Sequence, residues 1–97
     1  MNRSKDALDL QIKTVEWFVN IPPSQRSTEA MRTLRQGLGF TVSVTVAAEP
    51  EAGFAFLEKL ASMADKDIQW IVRENLKKNR LAKWPDKVEA VKIKLQG

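Results

Sequence analysis

The chain has 97 residues, of which 43% are apolar and 29% charged, with a formal net charge of +4. That length supports one domain with a modest core, and the composition is that of a soluble globular protein. Cysteine and histidine are both absent, which excludes disulfides and thiol chemistry and removes the commonest general base and metal ligand. Any catalysis would rest on carboxylates, lysines or hydroxyls.

Met1 to Asp6 is polar, with no apolar run after its charges, so it does not read as a signal peptide. The uncharged run Gly37 to Ala48 is far short of the ~20 residues that span a bilayer. The expectation is a cytoplasmic protein without a membrane segment.

In chain order, Ser4 is placed to cap a first helix running to about Asn20. Leu8, Ile12, Val15, Phe18 and Val19 form one apolar stripe, while Leu10 and Trp17 form a second, roughly opposite. Two stripes imply neighbours on both sides, or a second neighbour supplied from elsewhere. Pro22-Pro23 ends this helix, because the residue before a proline avoids the α region, and residues up to Ser27 read as a connector.

Ser27 or Thr28 starts the next helix, with Glu29 in its first turn and Met31, Leu34 and Leu38 on one face. Beyond them Phe40, Val42, Val44 and Val46 alternate with Thr41, Ser43 and Thr45, the pattern of a half-buried strand. No second strand candidate exists anywhere in the chain, and a lone strand leaves its backbone groups unpaired. A single helix from Ser27 to Ala48 is therefore expected, bent near Gly37 and Gly39, with Gly39, Ser43 and Ala47 as a small face for close helix approach. The strand alternative would mean pairing between two chains.

Glu51 to Leu81 is the clearest unit. Phe54, Phe56, Leu57, Leu60, Ala61, Met63 and Ala64 cover about half of one helix, a wider stripe than a two-layer surface helix needs, and Pro50 suits its first turn. The turn Asp65-Lys66-Asp67 leads into a helix with Asp67 as N-cap and Ile68, Ile71, Val72 and Leu76 as its stripe. Acids at its start and Lys77, Lys78 and Arg80 at its end follow the helix dipole. After Trp84, Pro85 and Asp86 open a last helix with Val88, Val91 and Leu95 inside.

The turn and helix carried by Asp65, Asp67, Ile68, Val72 and Leu76 resemble a HEAT repeat. Gln69 stands where that pattern usually has an arginine. The resemblance implies an all-α fold of about five helices, stacked as antiparallel hairpins in a right-handed superhelical array that spans residues 1–97 as one domain. It also implies protein binding, as in a scaffold or adaptor. A homodimer and membership of a longer repeat array both stay open, since repeat arrays usually hold three or more units.

Asn75 falls in the middle of the apolar stripe, and a buried amide must be hydrogen-bonded. One reading gives it backbone groups in the turn between hairpins. The other, implied by the resemblance to armadillo-type proteins, gives it the backbone of a bound peptide. Trp70 is expected either in the core, against the Pro85–Leu95 helix or under Trp84, or exposed as an anchor in a partner's groove. Trp17 has the same two readings. The expected partner-binding residues are Trp70, Asn75, Lys77 and Trp17.

From Arg73 to Lys94 there are eight basic and three acidic side chains. Such an excess attracts nucleic acid, so the alternative function is nucleic-acid binding through Arg73, Lys77, Lys78, Arg80, Lys83 and Lys87. The plain reading of the same residues is a solvated helix surface. No carboxylate pair, metal-ligand spacing or phosphate loop stands out. The expectation is a non-enzyme with no cofactor and no metal.

Overall fold

The computed structural model describes residues 3–96, so the reading of the first residues as no signal peptide lies partly outside it. Five helices follow one another: α1 (Arg3–Asn20), α2 (Glu29–Ala48), α3 (Pro50–Ala61), α4 (Lys66–Leu76) and α5 (Pro85–Gln96). Short 3₁₀ turns occupy Pro23–Gln25 and Asn79–Leu81. Among the described residues there is no strand, and Phe40 to Val46 lie inside the continuous helix α2.

Local chemistry sets the helix ends. Thr28 caps α2 by accepting from the Met31 amide at 3.3 Å. Pro50 opens α3 one residue after Glu49, and in a first turn its missing N–H leaves nothing unpaired. The cap of α4 is Asp65 rather than Asp67: its Oδ1 accepts from the amides of Asp67 and Ile68 at 3.0 and 3.2 Å. Ser4 sits inside α1, and its hydroxyl donates to Glu49 at 2.7 Å. That bond joins the start of α1 to the end of α2, so the two helices run antiparallel.

Each helix packs on the next, and α2 also meets α4 while α3 meets α5. The molecule is a slab of 36 × 35 × 19 Å, and its thin dimension holds two layers of helices about 10 Å across. The two layers close on one core. Val15 and Phe18 of α1, Val42 and Val46 of α2, Leu57 and Leu60 of α3, Ile68, Ile71 and Val72 of α4, and Val91 of α5 are almost wholly buried.

Two glycines let helices approach closely. A methyl group on Gly53 would fall 2.6 Å from the Val46 backbone, so α3 crosses α2 at van der Waals distance there. A methyl on Gly39 would meet the Trp70 ring at 2.9 Å. The small face expected on α2 is therefore the seam on which α4 lies. Along it Arg35 pairs with Asp67, Gly39 with Trp70, and Ser43 with Asn75. Contact positions rise together in both helices, so α4 runs parallel to α2.

Candidate interaction surface

Asn75 is fully buried, and its amide is used entirely within the chain. Nδ2 donates to the carbonyls of Leu38 at 2.8 Å and Ile71 at 2.7 Å, and Oδ1 accepts from the Ser43 amide at 2.7 Å. Its partners are thus the backbones of α2 and of its own helix rather than a turn between hairpins. As folded, Asn75 offers nothing to a bound peptide. In a regular helix the Leu38 carbonyl and the Ser43 amide belong to neighbouring rungs of the ladder, and one side chain of α4 bridges them.

Trp70 is half-buried against α2, not against α5 or Trp84. The Arg35 guanidinium lies 3.9 Å from its ring centroid, with Gly39 close by. Trp84 instead makes an edge contact with Phe54, ring centroids 5.9 Å apart. Lys77 reaches solvent and donates to Glu74 at 2.6 Å. That bond, helped by the charges of Lys77, Lys78 and Arg35, holds the Glu74 carboxyl below its usual range. Trp17 is 56% exposed and shares its open face of α1 with Leu10 at 66%. The second stripe of α1 therefore has no neighbour among the described residues. An open recess of about 150 Å³ lies between α1 and α3, lined by Val19, Leu60 and Met63 and by the exposed Glu16 and Lys59.

The six candidate nucleic-acid cations are divided. Lys78 and Arg80 lie over the Phe40 ring, 5.2 and 4.7 Å from its centroid. Arg73 and Lys77 share a recess with Lys92 at the far end of α5. Lys87 lines a different one with Glu51, Glu58 and Asp86, and Lys83 is exposed in the turn before α5. A phosphate track needs its charges contiguous; here they face separate neighbours, one of them acidic.

Arg26, read as part of a plain connector, is a structural centre. Only 6% exposed, it donates to the carbonyls of Ile21 and Val19 at 2.9 and 3.1 Å, to Asp65 at 2.9 Å and to Asp67 at 3.1 Å. Its guanidinium also lies 4.5 Å from the Phe18 ring centroid. One side chain thereby ties the end of α1 to the turn that starts α4, where Arg35 adds a 2.8 Å bond to Asp67. The bond to Asp65 is the main influence that raises the pKa of Arg26, against the cost of burial. Burial by itself pushes Asp65 up, but the hydrogen bonds from Arg26 and from the Ile68 and Asp67 amides outweigh it and hold the carboxyl below its ordinary value.

The outer side of α2 differs from both regions. From Gln36 to Ala48 the helix carries no charged residue, yet Gln36, Gly37, Phe40, Thr41, Val44 and Ala48 are exposed. Phe40 and Val44 are 48% and 47% open, one helical turn apart. No protein-family model matches the chain, nor does any curated protein or solved structure.

Proposed function

We propose that this chain is a non-catalytic protein-interaction module, a scaffold or adaptor with HEAT-like stacking. The observation that carries this reading is the pair of open apolar faces, Leu10–Trp17 on α1 and Phe40–Val44 on α2, outside a core that closes without them. Isolated exposed apolar side chains are ordinary, but grouped ones on helix faces mark contact sites. The stacking is supported by helix order: neighbours in sequence pack on each other, equivalent members of successive pairs (α2 with α4, α3 with α5) also meet, and α2 and α4 are parallel.

The test is capture of partners on the immobilised protein from an extract of its own cell, with and without nuclease. A protein partner that survives nuclease and is lost from both Trp17→Ser and Phe40→Ser variants supports the module. If all bound material disappears with nuclease, the reading fails and the divided cations become the working surface.

A further inference from the structure

α2 has two small-residue faces on opposite sides. On one, Gly39 and Ser43 receive Trp70 and Asn75 of α4. The other, Gly37, Thr41, Val44 and Ala48, points away from α4 by about half a turn at 100° per residue and is exposed throughout. Gly37 gives this face its second peculiarity. Glycine inside a helix is destabilising relative to alanine, and at Gly39 and Gly53 close packing accounts for it. At Gly37 an added methyl would meet nothing within 4 Å. No contact among the described residues explains a glycine there; the close approach of another helix would.

Charge decides what that helix is. The strip itself is neutral, but Phe40 borders it with Lys78 and Arg80 over its ring. Neither cation has a carboxylate within ion-pair distance among the described residues; the Arg80 guanidinium donates only to the Ser43 hydroxyl, at 3.2 Å. A second copy packed antiparallel fits poorly. Two antiparallel strips related by a two-fold axis would bring Lys78 and Arg80 of both copies to the same side of the seam, where like charges repel. A nucleic acid fits poorly too, because beyond Lys78 and Arg80 the strip carries no charge to follow a phosphate backbone, and the Thr41 hydroxyl is its one polar side chain.

We infer that the outer face of α2, Gly37–Thr41–Val44–Ala48 with Phe40, is a helix-docking seam for an amphipathic helix of another protein whose apolar stripe is flanked by carboxylates facing Lys78 and Arg80. The partner helix approaches most closely at Gly37, Val44 and Phe40 pack on its apolar side chains, and its acids come within ion-pair distance of Lys78 and Arg80, as no described carboxylate does. This rests on the interaction-module reading and names the surface and the partner's chemistry.

The experiment uses two synthetic helical peptides about five turns long, with the same Leu and Ala seam. One is flanked by Glu, the other by Lys, and each is titrated into the whole protein while amide NMR signals are followed. The Glu peptide is expected to shift Gly37, Phe40, Thr41 and Val44 and to bind at least about tenfold tighter than the Lys peptide. The double variant Lys78→Glu/Arg80→Glu reverses that preference. Gly37→Ala raises the melting temperature yet weakens the Glu peptide severalfold, a combination that a merely structural residue would not give. Equal affinity for both peptides, no binding of either, or self-association through the strip before peptide is added overturns the inference. So does tighter binding of an oligothymidine at the same signals. Shifts confined to the Leu10–Trp17 face would also overturn it, while leaving the interaction module standing.

Discussion

The two sides of α2 carry a glycine each, two residues apart, and the contrast between them separates what the chain needs to fold from what it keeps for another use. On the inner side Gly39 lies under Trp70, Ser43 is held by Asn75, and Arg35 links Trp70 to Asp67. Every small or polar residue there has an occupant. On the outer side Gly37 faces open space and Phe40 and Val44 face solvent. The same residue types thus serve a filled seam and an empty one.

That contrast breaks most severely where the inner side is anchored. Arg26→Ala leaves Asp65 with its amide bonds but without its cation, and leaves the Ile21 and Val19 carbonyls without their side-chain donor; losing one partner of a buried pair costs about 3 kcal/mol, read as a lower urea midpoint. The same anchor makes the inner side acid-sensitive. Asp65 binds its proton less readily in the fold than in the unfolded chain, so its stabilisation is present above about pH 4 and lost as pH falls through its lowered folded value. Asp65→Asn should flatten the decline in denaturation midpoint with acid, whereas Phe40→Gln, in the uncharged strip, should leave the slope unchanged.

Asn75→Ala leaves the Leu38 carbonyl and Ser43 amide without their side-chain partner and costs about 2–3 kcal/mol, measured by the same unfolding curve. Gly39→Ala drives a methyl into the Trp70 ring, which Arg35 confines. Overpacking of about 1–3 kcal/mol exceeds the helix-propensity gain of about 1 kcal/mol, so the variant melts lower. Gly37→Ala has the opposite sign: with nothing to strike, it stabilises by about 0.5–1 kcal/mol. A destabilised Gly37→Ala protein would erase the distinction between the two faces.

The helices were legible because apolar spacing, Thr28, Pro50 and Pro85 are local signals. α2 was the hard case, since Phe40 to Val46 alternates like a strand, and only the lack of any pairing partner pointed to helix. Sequence also marked the Gly39–Ser43 seam and the buried Asn75, but not that the two belong together. That pairing depends on α4 lying parallel to α2, which no spacing encodes. The packing of Trp70 on α2, in neither of the places expected for it, was hidden for the same reason. Arg26 escaped notice because its burial requires carboxylates 39 and 41 residues later, and a lone arginine after Pro-Pro-Ser-Gln carries no periodic signal. The open strip was hidden by its composition: neutral residues read as core until the fold shows them outside.

The bridge made by Asn75 also bears on how α2 opens. Its carboxamide joins the Leu38 carbonyl to the Ser43 amide, so these two groups in the middle of α2 gain their side-chain partner only once α4 has docked. Amide exchange at Ser43 then follows the separation of α4 from α2, while amides near Glu29 exchange by fraying of the helix end. α2 and α4 should therefore behave as one cooperative unit, and in Asn75→Ala the slow exchange of Ser43 should fall toward that of its neighbours on the open side.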